Sequence, residues 1–317
     1  MRFFSARNLK FWRPAFLPIG ALLLGGCRSE PPPPGPTISH PVVVPRDDLE
    51  RAMKFVGPKA HVVVIGPGAT ETMFALGAGA QLVGRDSGSD YPSAAQKVAV
   101  CGDFSGPSVE KVVALRPDLV IVQGETWDAN RIENWQRKIG APVAALSATS
   151  VKLVARDIEK IGAWLGRDAK AQALAMTLRR AAFQSPPQPK PSAFLEVSRS
   201  PLWTAGRGTL LSDVATRAGF QSIAAGISGY KAYSLEALAA HPPDVYIAPM
   251  EKPNLKSALL ELRKLPGLNQ LPAIKAGRVL VIDADLLLRP GPRLGQGIKQ
   301  LRQYKMNEPQ INTDKHR

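Results

Sequence analysis

Residues 108–121 and 234–247 follow one frame without a gap, Ser-x-Glu-x-x-x-Ala-x-x-Pro-Asp-x-x-Ile in both copies. In the first, Ser108 and Glu110 open a helix that Pro117 ends before the apolar run Leu119-Val120-Ile121. In the second, Ser234, Glu236 and Pro243 do the same ahead of Val245-Tyr246-Ile247. A serine side chain accepts from the free N–H groups of a first helical turn, an acid there favours the positive end of the helix dipole, and proline pushes the residue before it out of helical geometry. Each element is common alone, but six matched positions in register point to two related lobes.

The surrounding pattern agrees. Residues 61–66, 81–84, 98–102, 118–122 and 142–146 read as short strands, with helices expected over 71–76, 108–115 and 128–139, and strands resume at 193–197. Strands alternating with helices imply parallel pairing and a layered α/β architecture. The 317 residues, 44% hydrophobic and 21% charged, suffice for two packed domains and are too apolar for a mostly disordered chain. Between the halves, 151–184 lacks proline and repeats Val154, Ile158, Ile161, Leu165, Leu174 and Leu178 at helical spacing, which fits one unusually long amphipathic helix or a helix pair. The proline-rich run from Ser185 to Pro191 is a linker.

The first 27 residues carry Arg2, Arg7, Lys10 and Arg13 and no acid, followed by the uncharged run from Ala15 to Leu24, too short to span a bilayer and suited to a signal-peptide core. It ends in Leu24-Gly25-Gly26-Cys27, which resembles the lipobox of bacterial lipoproteins and implies cleavage before Cys27 and a diacylglycerol on its sulfur. Residues 31–36, five prolines and a glycine, form a stiff spacer. The expectation is a body lipid-anchored at Cys27 on the periplasmic or other extracytoplasmic face of the cell envelope.

The formal charge of +15 raises the question of nucleic acid, but the excess sits in 1–27, in 151–190 and in 289–317, and no basic element interleaved with aromatics appears. Nucleic acid is not expected as a partner. Two cysteines make no disulfide framework, and with Cys27 acylated Cys101 is the remaining thiol, a small residue in a strand-like run. Histidines 40, 61, 241 and 316 are scattered, Gly-x-Ser-x-Gly is absent, and no lysine follows the Pro67-Gly68-Ala69-Thr70 turn as a nucleotide loop requires. Neither an enzyme nor a resident cofactor is expected.

The motifs Gly66-Pro67-Gly68-Ala69-Thr70-Glu71-Thr72-Met73-Phe74-Ala75-Leu76-Gly77-Ala78-Gly79, Ser89-Asp90-Tyr91-Pro92, Gly102-Asp103-Phe104 and Arg289-Pro290-Gly291-Pro292-Arg293 are similar to those of periplasmic substrate-binding proteins of the helical-backbone class. That class serves ABC importers of cobalamin, haem and iron–siderophore complexes, and the resemblance spans about 61–304. It implies two Rossmann-like lobes with mostly parallel central sheets joined by a long rigid backbone helix, and small closure around a largely preformed cleft. The expected organisation is a signal peptide (1–27), a tether and amino-terminal segment (28–60), a first lobe (61–150), the backbone helix (151–184), a second lobe (185–306) and a polar tail (307–317).

Ligands of open α/β sheets sit at the carboxyl ends of the strands, where the turn at Pro67 and Gly68 falls. A corrin or porphyrin offers a flat apolar surface, and the resemblance implies that Tyr91, Phe104 and Tyr230 face it. Tyr91 is an iron ligand instead if the cargo is haem. Trp127 and Trp203 lie at strand-to-loop ends, as cleft walls or as packed side chains, while Trp135 and Trp164 fall within helices and belong to the core. Arg289 and Arg293 either meet ligand carboxylates or phosphates or sit on a solvated turn, and Asp285 either lines the site or holds the loop through an Asp–Arg pair. For permease docking the resemblance implies Glu71 on the outer face of the first lobe and, on the second, Asp213, although one family variant puts that acid at Thr216. The partners implied are the metal-chelate ligand, an ABC permease with its ATPase, and the membrane through the lipid. The alternative is a surface sensor or interaction module that kept the fold and lost transport.

Overall fold

A computed structural model describes residues 46–53, 57–125, 127–186 and 190–304. The targeting segment, Cys27, the proline spacer and the tail 307–317 lie outside the described residues. In the first lobe β1 (Val62–Ile65), fully buried, leads into α1 (Pro67–Ala75). The helix begins at Pro67, ahead of the expected 71, because a proline at the first helical position forfeits only an N–H that has no partner there. Then follow β2 (Leu82–Asp86), β3 (Val100–Asp103), β4 (Gly106–Pro107), α2 (Val109–Ala114), β5 (Leu119–Gln123), α3 (Ala129–Ile139) and β6 (Val143–Leu146). The strands pair in the order β4-β3-β2-β1-β5-β6, parallel except β4.

The bridge is α4 (Val151–Trp164) and α5 (Asp168–Ala182). It is therefore a helix pair, not the single long backbone helix. Gly166 at φ +67° breaks the run, and Gly162 packs so tightly on Ala171 that a Cβ there would lie 2.1 Å from the alanine Cβ. The second lobe holds β7 (Ser192–Arg199), β8 (Leu202–Ala205), α6 (Leu210–Ala218), β9 (Gln221–Ser222), β10 (Tyr230–Ala232), α7 (Leu235–Ala240), β11 (Val245–Met250), α8 (Leu255–Lys264), α9 (Pro272–Lys275), β12 (Val279–Asp283), α10 (Asp285–Leu288) and α11 (Leu294–Arg302). Its order is β10-β8-β7-β11-β12, with β9 also on β7, and β7, β9, β11 and β12 run parallel.

The Pro-Asp end of the repeated frame has the same structural meaning twice, whereas of its two serines Ser234 caps its helix by accepting from Ala237 N–H at 3.1 Å and Ser108 starts its helix with no side-chain cap. Asp118 accepts hydrogen bonds from the backbone of Ala60 and His61 at 2.8 and 3.0 Å, fixing the entry to β1, the neighbour of β5. Asp244 accepts from Ser192 N–H and its hydroxyl at 2.8 and 2.7 Å, fixing the entry to β7, the neighbour of β11.

Met73 of α1, Ile158 and Ile161 of α4, Leu178 of α5, Val214 of α6 and Ile298 of α11 share one buried cluster. At about 1.5–3 kcal/mol for each large aliphatic side chain buried, this core ties both lobes to the helix pair. Part of the expected tether also packs. Asp48 N–H donates to the Ala145 carbonyl at 2.9 Å and Arg51 to that of Val143 at 2.6 Å, so residues 46–53 cover the free edge of β6.

Candidate functional site

The lobes meet at the carboxyl ends of β1, β2 and β5, and Asp86 organises the first lobe's share of this seam. Buried at the end of β2, it accepts from Gly66 N–H at 2.9 Å, from Gly88 N–H at 3.1 Å and from the Ser89 hydroxyl, which in turn bonds Thr70 at 3.0 Å. One carboxylate thus holds the turn before α1 to the loop that carries Asp90 and Tyr91.

Gly68 does not form an open cleft floor as expected. Pro290 of the second lobe covers it so closely that a Cβ would lie 2.2 Å from the Pro290 carbonyl oxygen. Gln123 at the end of β5 bridges the contact, accepting from Ala69 N–H at 2.7 Å and donating to the Pro290 carbonyl at 3.0 Å. Pro67 stands beside it, half-buried.

Arg289 and Arg293 flank this contact and are committed within the chain. Arg289 lies 2.6 Å from Asp90, 2.6 Å from Asp285 and 3.9 Å from Glu71. Arg293 grips Glu71 with Nε and Nη2 at 2.9 and 2.5 Å and reaches Asp285 at 3.4 Å. Asp285 opens α10 and holds the loop through the Asp–Arg pair that was one of its two readings, and three carboxylates engage the two guanidinium groups, so neither the ligand-anion nor the solvated-turn reading of Arg289 and Arg293 describes them. Burial pushes the Glu71 carboxyl up and the Arg293 charge pulls it back, while the Arg289 hydrogen bond holds Asp90 below the usual aspartate range.

Glu71 is only 3% exposed, so the outer-face position implied for permease docking is corrected: it is a buried lobe-to-lobe partner, because α1 turns it inward onto Arg293. Asp213 is likewise engaged, accepting from Val151 N–H at 2.9 Å and lying 3.3 Å from Arg217. Thr216, the alternative position, is exposed.

The aromatic residues divide. Phe104, at the tip of the β3–β4 hairpin, is 92% exposed, and nothing in the fold accounts for an aromatic side chain left so bare. Tyr91 is exposed on one side and covered on the other by the Arg293 guanidinium, 3.8 Å from the ring centroid. Trp203 on β8 is exposed, whereas Trp127 is a packed side chain, edge-on to the buried Trp135 at 5.4 Å with Arg131 over both rings. Trp164 is buried as expected. Tyr230 donates across the seam to Glu125 Oε1 at 3.1 Å. Burial, reinforced by Glu125, raises the phenol, and burial raises the Glu125 carboxyl.

Asp86, Gln123 and Glu125 were missed as site residues. Asp86 and Gln123 end strands at the carboxyl edge of a parallel sheet and Glu125 follows β5 by two residues, and that position was the available signal. A cavity of about 490 Å³ opens between α1, α5 and α11, lined by Glu71, Tyr91 and Arg293 of the seam together with Phe74, Leu174 and Leu178. Among the described residues no group of three or more His, Cys, Asp or Glu is arranged to hold a metal, and no helix is long and apolar enough to cross a membrane.

Residues 62–286 match the profile of the family described as periplasmic binding protein. An uncharacterised ABC transporter substrate-binding lipoprotein of Bacillus subtilis, YvrC, is 31% identical over 251 residues, covering 76% of this chain and 78% of the relative. The vitamin B12-binding protein of Salmonella choleraesuis is 30% identical, covering 76% and 88%. Among solved structures, a periplasmic heme-binding protein from Pseudomonas aeruginosa superposes with a TM-score of 0.65 at 32% identity, covering 77% of this chain and 91% of that one. With two α/β lobes meeting at their strand ends and these relatives, the chain belongs to the periplasmic binding protein family, whose members bind substrates and are not enzymes.

Proposed function

We propose that this protein captures a metal-chelate ligand between its lobes, cobalamin ahead of haem or a ferric siderophore, and delivers it to an ABC permease and its ATPase. In this reading it is anchored through lipid on Cys27 at the extracytoplasmic face of the envelope. The observation that carries it is Phe104, 92% exposed at the carboxyl edge of the sheet, an apolar face offered to a flat macrocycle. The vitamin B12-binding and heme-binding relatives supply the ligand class. The test is titration of the purified protein with cyanocobalamin, haemin and a ferric hydroxamate, followed by tryptophan fluorescence and, with haemin, by the Soret band. Binding of one of the three is expected, and binding of none overturns the reading. A Soret band that Tyr91→Ala abolishes would assign Tyr91 as an iron ligand.

A second reading has one observation in its favour. Both acids expected at the permease are bonded within the chain, Glu71 to Arg293 and Asp213 to Val151, as suits a sensor or interaction module that kept the fold. ATP-driven uptake of the bound ligand by vesicles carrying the cognate permease decides between them.

A further inference from the structure

The charges along the seam do not suit an anionic cargo. Glu71, Asp90 and Asp285 occupy Arg289 and Arg293, the two arginines that flank Pro290, and leave neither guanidinium open to a ligand carboxylate. A fourth carboxylate, Glu125, follows β5 at the carboxyl edge, open to solvent as a residue while its carboxyl is shielded enough to be raised. Its partners are neutral: the Tyr230 hydroxyl at 3.1 Å and the backbone N–H of Leu210, at the start of α6. Two cations stand near. Lys231 follows Tyr230 on β10 and so belongs to the opposite face of that strand, and Arg207 is exposed on the turn before α6 with no ion pair among the described residues.

We propose that Glu125 is a specificity residue that accepts hydrogen bonds from neutral amide or hydroxyl donors on the ligand rim, exchanging its bond to Tyr230 for them, and that repels ligands with an anionic rim. This rests on the import reading above and narrows it. A corrinoid ringed by carboxamides fits, whereas haem with its two propionates and a ferric triscatecholate do not. The discrimination is a difference of affinities built partly from repulsion between the Glu125 carboxylate and an anionic rim, which the exposed Arg207 and Lys231 would have to offset.

The experiment measures Kd for cyanocobalamin, haemin and a ferric triscatecholate with the wild type, Glu125→Gln, Glu125→Ala and Arg207→Ala, at low and high salt. The wild type is expected to bind cyanocobalamin at least about 100-fold more tightly than either anion. Glu125→Ala then weakens cyanocobalamin about tenfold through the lost acceptor. Glu125→Gln strengthens haemin at least about threefold, an advantage that shrinks at high salt. A merely structural lesion weakens every ligand together, so opposite signs for the two classes identify the role. Haemin or the triscatecholate binding more tightly than cyanocobalamin, with Arg207→Ala abolishing it, overturns this inference and leaves the import reading standing. Cyanocobalamin affinity unchanged in both Glu125 variants also overturns it alone. Binding of none of the probes overturns both.

Discussion

Arg293 of the second lobe holds Glu71 of the first with two guanidinium nitrogens, at 2.9 and 2.5 Å, while the same guanidinium lies over the Tyr91 ring. Removing one member of a buried ion pair strands the other, and that outweighs the net worth of the intact pair. Arg293→Ala is therefore expected to cost about 3 kcal/mol in urea unfolding at neutral pH. Burial already raises the Glu71 carboxyl, and without Arg293 it rises further. A raised carboxyl destabilises the folded state once pH exceeds the ordinary glutamate range, so the loss should shrink as pH falls towards that range. A loss that does not vary with pH would mean that Glu71 is not the stranded partner.

Asp157 on α4 offers the opposite sign. Both its carboxylate oxygens are buried without a hydrogen-bond donor, facing Asp48, whose own oxygens are taken by Arg156, Lys160 and Ser147 N–H. Burial, and then Asp48, raise the Asp157 carboxyl well above the ordinary aspartate value. A group protonated in the folded state and ionised in the unfolded one contributes stability at low pH and loses it as pH rises through the folded-state pKa. Asp157→Asn supplies the missing donor as an amide. It should stabilise the protein by roughly 1–3 kcal/mol at pH 7 and change little below pH about 4, read from unfolding curves across that range. Destabilisation at pH 7 would refute the raised Asp157 carboxyl.

Cys101 sits 1% exposed on β3, and burial, with Asp86 adding to it, pushes the thiol up to about 11. Only roughly a thousandth of such thiols are ionised at pH 8, and those are out of reach of reagent. The folded Cys27→Ser protein should resist Ellman's reagent for hours and release one equivalent in guanidinium. Wild-type protein isolated from membranes and unfolded in guanidinium should release one equivalent if Cys27 carries lipid and two if it does not, which tests the anchor directly.

What was legible follows from range along the chain. The two Ser-x-Glu…Pro-Asp frames announce helix, turn and strand within 14 residues, and Asp118 and Asp244 perform the same clamp in both lobes. The break at Gly166 was undecided because a glycine within a helical pattern is tolerated in some helices and ends others, and only the packing of Gly162 on Ala171 separates the two. The seam was not legible. Glu71 and Arg293 lie 222 residues apart and Gln123 and Pro290 lie 167 apart, and no local pattern marks a carboxylate as the future partner of an arginine in another lobe. The pairing of Arg289 with Asp285, four residues away, was one of the readings its spacing allowed, whereas its contact with Asp90 carried no local signal. Glu125, carrying no motif, was overlooked.

Phe104 and Trp127 separate binding from folding. Phe104 is 92% exposed and packs on nothing that its loss would empty, so Phe104→Ala should change stability by no more than about 0.5 kcal/mol. If the macrocycle stacks on it, ligand affinity falls about tenfold, equivalent to about 1.4 kcal/mol. Trp127 is packed against Trp135 and beneath Arg131, and Trp127→Ala should cost about 2–3 kcal/mol of stability by leaving that contact unfilled. Its effect on affinity, measured where the variant is fully folded, should be within about threefold. Unfolding curves and ligand titrations on the two variants check both halves. A tenfold loss of affinity in the folded Trp127→Ala protein with none in Phe104→Ala would move the ligand's wall from the β3–β4 hairpin to the end of β5, and with it the face on which the cargo rests.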